Sequence, residues 1–562
     1  MGNIRFKDAE EVSGFKIPFS LDEDSLSNWL HDLLSLKHSE SILKLFFLIE
    51  TLNKTKLPAQ QRLQLLQKIF TYLCLINEQI EKRRLELEFP LSEQENALLE
   101  KVVWCYLSIA RGLSFAAKQM DEKELKTSAW YQALFSLSQA YLIMSSVYCL
   151  PSKDFWTLCY YIYSSAENGA VLFESVVDVN KVEQTIDKIF KQILVFSFVD
   201  SDQFRSGEMK TIFSFLGKYT NQVNIELAVK ESRKKGVFVF DFTQDLAPVT
   251  LAGLDGFVAI SSTRYIAPIA LAKKIFEGIQ QEKNEQGVIK SINQELFMRL
   301  IKTLGMAQKR QFNRRQEKGR SKGIIGLDYL TRFLRNNNGE KNVKEENKDE
   351  ELELVSRKEE HSHLLQSRFK KQMEGNEQLQ NILKVSAEMD HGEGVWGSVP
   401  EETNFVLNDV NGSEFSLINS SVKGYAIGWN SVDDKAKLGD VFGVISSNSE
   451  RLEIAIVRRI SQLDDSSVQL GLEVISFESE AVLVTRGNEK GQGKWCLLLP
   501  AVKALKQAES MVFNAGDYAV NEFIFLEQDK QKQKYRVAKI LNSTASITQV
   551  ELFCLDNENT VF

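Results

Sequence analysis

Asn419-Ser420-Ser421-Val422-Lys423-Gly424-Tyr425-Ala426-Ile427-Gly428-Trp429 is the stretch from which the fold of this chain can be read. It holds an N-x-S-x-x-G step and passes straight into a candidate strand over 424–429. Short polar side chains followed by a glycine suit a place where backbone comes close to something bound. Around this stretch the pattern is β through to the last residues. Candidate strands run over 413–418, 424–429, 441–446, 452–460 and 468–476, separated by Gly, Asn, Asp and Ser clusters. A second set follows at 481–486, 494–499, 519–526, 534–541 and 546–554. Short strands at this spacing favour small barrels. One barrel should close near residue 478, with a second β module after it.

Upstream the composition breaks. Asn336-Asn337-Asn338-Gly339 begins a tract dense in Glu, Lys, Asn and Gln that runs to about Gln378. It holds too little apolar surface to offset its ordering entropy, which predicts a mostly disordered insertion over 336–402. Within it, 376–388 reads as a transient helix. Before the tract, Ile324 to Leu334 reads as a strand. Before that strand, Arg310-Gln311-Phe312-Asn313-Arg314 forms an R-x-x-x-R step inside a basic segment from Lys309 to Lys322. Guanidinium forks pair with phosphate, and they stack and hydrogen-bond on guanine. Each step is frequent enough by chance that neither decides alone; their order and the strands beside them do.

Together the two steps resemble the split signature of the PilZ domain, the bacterial receptor module for cyclic di-GMP. The likeness continues in Val422 to Trp429, in Leu438-Gly439-Asp440-Val441-Phe442, in Ile454-Ala455-Ile456-Val457-Arg458 and in Gln469-Leu470-Gly471-Leu472-Glu473. It covers about 307–335 and 403–478, under a quarter of the chain. It implies that Arg310 and Arg314 grip phosphates and guanine, and that Asn419 and Ser421 hydrogen-bond the ligand from the barrel face. Gly424 would let the backbone turn beneath the base. Lys309 and Arg315 add local positive charge that helps capture an anion. Whether one or two nucleotides bind stays open. Arg314 and Asn419 lie 105 residues apart (419 − 314), wider than the family's usual spacing. The cost of closing a loop rises only logarithmically with its length, so a surface insertion accounts for the excess.

The first half of the chain reads as helical from about 21 to 235. Leu66, Ile69, Leu73 and Ile76 keep the three-and-four spacing of one buried face. Pro58 precedes that helix and Pro90 follows it. Ser92-Glu93-Gln94-Glu95 has the form of a capping box opening the next helix, with Leu98, Val102, Cys105 and Ile109 inward. Further helices are expected at 127–149, 152–175 and 181–197. Antiparallel helices on short loops make a bundle or an irregular α-solenoid. Gly236 to Phe242 reads as one strand, and Leu271–Glu282 and Gln294–Met306 as two helices. The fold class is therefore α+β and multidomain. It has an all-α half over 1–235, a mixed connector over 236–308, and a six-stranded PilZ-like barrel with its insertion over 309–478. A second small all-β module spans 479–562.

At 562 residues the chain is too long for one ordinary core. A net charge of −7 argues against a bulk nucleic-acid binder. No apolar run is long enough for a transmembrane helix, and residence in the cytoplasm is the default. The six cysteines are scattered, without a C-x-x-C pair, which suits reduced thiols. His361 and His363 fall in the charged tract, and no metal or other cofactor is expected. There is no nucleophile elbow, P-loop or H-E-x-x-H motif, so an enzyme is not expected. The reading is a receptor that binds cyclic di-GMP and relays it to an unidentified protein partner through the helical half. The alternative is a scaffold of the same fold that binds no ligand.

Overall fold

The computed structural model describes residues 17, 19–84, 87–177, 181–228, 236–254, 256–286, 291–305, 315–340, 412–421, 423–431, 433–445, 452–463, 467–486, 493–501, 508–528 and 531–555. The chain divides into two compact units, one of residues 1–87 and 95–311, the other of residues 88–94 and 312–562.

The first unit opens with helices α1 (Glu23–Leu33), α2 (His38–Lys54), α3 (Ala59–Arg84), α4 (Glu93–Gln119), α5 (Lys123–Ser146) and α6 (Lys153–Asn168). A short hairpin of β1 (Val176–Val177) and β2 (Glu183–Gln184) leads into α7 (Ile186–Phe196) and α8 (Ser206–Gly217). Side-chain caps fix several of the starts: Asp22 accepts from the Ser25 N–H, Ser152 from Phe155 and Thr185 from Lys188. The faces read from sequence on α3 and α4 are buried, from Leu66 to Ile76 and from Leu98 to Ile109.

Helix α5 is buried nearly all round, including Ser136, Ser138, Ser145 and Ser146, the pattern of a helix enclosed by others. It touches α3, α6, α7 and α8. Its Ser136 hydroxyl donates to the Tyr106 carbonyl of α4 at 2.8 Å, so the polar group inside the core is satisfied. Helix α5 is thus the enclosed helix of the helical half, with α1 and α2 packed against α3.

One strand was expected over 236–242; the structure has a four-stranded sheet there. It consists of β3 (Ile225–Glu226), β4 (Phe238–Asp241), β5 (Val249–Thr250) and β6 (Thr263–Ile266), in the order β3-β6-β4-β5. Strand β6 was hidden in sequence by Arg264 at its centre. That guanidinium is satisfied by the Glu167 carboxylate and the Ser261 carbonyl, both at 2.9 Å. Helices α9 (Ile269–Gln286) and α10 (Ser291–Gly305) follow.

The second unit holds two closed six-stranded barrels. The first uses β7 (Arg315–Ile325), β8 (Ser413–Ser421), β9 (Gly424–Trp429), β10 (Val441–Ile445), β11 (Leu452–Gln462) and β12 (Val468–Ser476). Around the barrel the order is β10-β11-β12-β9-β8-β7. Its interior is aromatic: Trp429 and Phe442 meet edge to face at 5.3 Å, with Phe415 beside Phe442 at 6.0 Å. The indole N–H donates to the Asp434 carbonyl at 2.7 Å.

The strand expected over Ile324–Leu334 is corrected. The strand ends at Ile325, Gly326 turns the chain at φ +96°, and α11 (Leu327–Glu340) follows. Leu327, Leu330 and Leu334 have helical spacing, and they pack with Ile454, Leu497 and Val512 in a core shared by both barrels. The disordered insertion expected from 336 therefore starts too early, since 336–340 belong to α11; its remainder, 341–402, lies outside the described residues, as do His361 and His363.

The second barrel comprises β13 (Glu480–Arg486), β14 (Lys494–Leu499), β15 (Ser510–Asn514), β16 (Phe523–Gln528), β17 (Gln531–Ser543) and β18 (Ile547–Cys554). Strand β15 was not anticipated, and the strand expected at 519–526 begins at Phe523. Residues 519–522 form the turn before it, where the Ala519 N–H is capped by the Glu522 carboxylate at 2.9 Å.

Candidate ligand-binding site

Strand β9 shows what the first barrel offers. Tyr425, Ile427 and Trp429 point inward, so the outward positions are Gly424, Ala426 and Gly428. The outer positions of this strand carry minimal side chains; Ala426 is buried, and Ser416 Oγ lies 2.5 Å from where a Cβ of Gly428 would sit. Asn419 pairs with Ala426 and Ser421 with Gly424, which puts both polar residues on that same outer face, two positions apart. Both are half-buried. The Ser421 hydroxyl donates to the Gly424 carbonyl at 3.2 Å. Gly424 is fixed by close approach: a Cβ there would run into the Leu472 carbonyl oxygen of β12. The structure thus brings Asn419, Ser421 and Gly424 together in one hairpin.

Lys309, Arg310 and Arg314 lie outside the described residues. The β7–β8 ladder begins one residue later, with Arg315 opposite Ser420 and Gln316 opposite Asn419. The backbone that follows the arginine step is therefore hydrogen-bonded across the middle of the N-x-S step, although Arg315 and Ser420 are 105 positions apart (420 − 315).

Register carries the Asn419 row further than sequence reading reached. Ala426 pairs with Gly471 on β12, and Gly471 with Arg459 on β11. A Cβ at Gly471 would sit 3.0 Å from the Cβ of Arg459, so the exposed arginine stem lies against that glycine. Arg458, the next residue back on β11, reaches the second barrel. It donates to Glu473 at 2.7 Å and to Asn542 of the second barrel at 2.6 Å. Composition around Arg458 and Arg459 gave no way to tell them apart; the bulge between Val457 and Arg459 does so.

A closed six-stranded barrel with an outward N-x-S-x-x-G hairpin, entered by a strand that starts directly after an R-x-x-x-R step, is a PilZ-type barrel. Three family models match the chain in order. They are the N-terminal domain of the cyclic-di-GMP receptor FimW over 24–231, its middle PilZ domain over 237–480, and its C-terminal beta-barrel domain over 481–553. The chain belongs to the FimW family of PilZ-domain cyclic-di-GMP receptors. A curated relative, the cyclic-di-GMP receptor FimW of Pseudomonas aeruginosa, is 20% identical over 555 residues, covering 95% of this chain and 90% of the relative. No solved structure matches. Among the described residues no cluster of His, Cys, Asp and Glu is arranged to hold a metal, and no helix is long and apolar enough to cross a membrane.

Proposed function

We propose that this chain binds cyclic di-GMP on the outer face of its first barrel. In this reading Arg310 and Arg314 close over the dinucleotide, and Asn419 and Ser421 hydrogen-bond it from below. Gly424, where a Cβ would meet the Leu472 carbonyl, lets the backbone pass close beneath the base. Arg459 flanks the same row and supplies a further cation beside it. The observation that carries the reading is the β7–β8 ladder, which sets the residue after the arginine step opposite Ser420. The family's receptor name and the matched PilZ domain support the choice of ligand. Binding then alters what the helical domain presents to a protein partner. The free cysteines, three of them buried, suit a reducing compartment such as the cytoplasm. The protein acts as a receptor and not as an enzyme.

Isothermal titration of the full chain with cyclic di-GMP, with GTP as competitor, tests this. Saturable binding that GTP does not match is expected. Equal affinity for the two nucleotides would leave only a scaffold of the same fold.

A further inference from the structure

A cleft opens within the helical bundle, lined by residues of the first unit alone. It has a volume of about 780 Å³ and is bounded by the C-terminal half of α3, by α5 and by α8. That size falls in the range of about 300–1,000 Å³ usual for small-molecule sites.

Arg84, the last residue of α3, lines this cleft and is only 5% exposed. Its Nε and Nη1 have no hydrogen-bond acceptor. A guanidinium is always charged and offers donors in a planar fork, so leaving two of its nitrogens dry and without an acceptor is costly. Desolvation pushes its pKa down, opposed first by Glu81. That carboxylate is already shared with Lys210, at 2.6 Å. Two helical turns earlier on the same face, Asn77 lines the cleft with a buried, unpartnered Oδ1. Lys188 and Lys218 add cations to the wall, giving four cations with Arg84 and Lys210 against three carboxylates. Tyr131 and Phe135, stacked at 6.1 Å and 8°, supply an apolar side. A bare inorganic ion would leave that side without a partner.

We propose that the helical domain carries a second ligand site, separate from the barrel face, for a small organic anion whose phosphate or carboxylate group pairs with Arg84. The site has the parts of a receptor for an anion that also carries a hydrogen-bond donor: a buried fork whose Nε and Nη1 lack an acceptor, an Asn77 Oδ1 that lacks a donor, and an aromatic wall for the body of the ligand.

The test uses the full chain, with inorganic phosphate, citrate and cyclic di-GMP as probes and sodium chloride as the ionic-strength control. Phosphate or citrate should raise the melting temperature beyond the chloride control, increasingly with concentration, as a ligand of the native state does. Arg84→Met should remove that rise and leave cyclic di-GMP affinity unchanged. Should Arg84→Met fail to fold, Lys188→Gln, at a half-buried position on the wall, should weaken the anion effect several-fold. A loss of cyclic di-GMP binding in Arg84→Met would make the dinucleotide itself the anion of the cleft and overturn the barrel assignment instead. No rise with either anion, or an equal rise in the variants, would overturn the second site.

Discussion

Gly424 shows how much one missing side chain decides. The Leu472 carbonyl occupies the space a Cβ would need, so Gly424→Ala must push β9 away from β12. Such overpacking costs about 1–3 kcal/mol, and urea unfolding of the variant should show it. Arg314→Ala should leave stability alone and remove a charge-assisted contact. Losses of that kind run to about 1.5–3 kcal/mol, roughly ten- to a hundred-fold in affinity by titration. Arg310→Ala should behave alike; Arg315→Ala should matter less if its part is long-range attraction, which salt screens. Ser421→Ala should weaken binding without unfolding, because its hydroxyl bonds the Gly424 carbonyl within its own hairpin. Asp440 gives a different readout. It sits at the joint between the barrels, accepting from the Lys437 N–H at 2.7 Å and from the Ser546 hydroxyl. Burial raises its carboxyl pKa above the ordinary 3.8. The folded state therefore holds this proton more tightly than the unfolded chain, so the stabilisation is complete below pH 3.8 and is lost as pH rises through the raised value. Melting temperatures of the wild type minus those of Asp440→Asn should fall from acid toward neutral pH. A difference that does not change with pH would contradict the assignment.

Helix α11 is the element on which the barrels depend jointly. Leu330 is fully buried among residues of both, so Leu330→Ala should cost about 2–5 kcal/mol. Because the core is shared, the two barrels should melt together in calorimetry, and the variant should lower that one transition without splitting it. The tract after α11 is expected to contribute nothing comparable. Its composition cannot build a core, so replacing 345–400 with a short flexible linker should keep cyclic di-GMP affinity within a few-fold. A collapsed barrel in that variant would show the tract to be structural. Legibility followed the same physics. Strands 424–429, 468–476 and 494–499 match at both ends because turn residues bracket them. Strand β15 was missed because Ser510-Met511-Val512-Phe513 is buried on both faces and shows no alternation. Helix α11 was missed because the apolar residues of the strand end, Ile324 and Ile325, are separated from Leu327, Leu330 and Leu334 of the helix by Gly326 alone, so the two read as one element. Asn419, Ser421 and Gly424 were legible because their geometry is local. Gly471 and Arg459 were not. Their place beside Asn419 depends on bulges between Leu417 and Asn419 and between Val457 and Arg459, and each extra residue switches which side chains face out.

At the scale of the molecule the helices before position 235 pack against the small sheet that follows them. Tyr160 of α6 stacks on Phe240 of the small sheet at 5.5 Å and 16°, and its hydroxyl donates to the Leu246 carbonyl at 2.8 Å. Phe242 packs against both Tyr160 and Tyr163, and Arg264 reaches back to Glu167 while its guanidinium lies 4.8 Å from the Phe242 ring. These contacts cover one aromatic face of α6 and α7 with residues from beyond position 235. A fragment cut at 235 keeps every helix from α1 to α8 but uncovers that face. A fragment ending at 311 keeps the sheet, α9 and α10 as well. Aromatic rings bury about 150–250 Å² each, so uncovering several of them removes several kcal/mol at about 25 cal/mol per Å². Marginally stable domains rarely tolerate such a loss. The fragment 19–311 should therefore unfold in one cooperative transition with helical circular dichroism. The fragment 19–235 should keep helical content, melt broadly and bind a hydrophobic dye such as ANS, the behaviour of a chain whose packing is incomplete. Equal, sharp melting of both would show that the helices alone complete their core and that the sheet is an accessory to them.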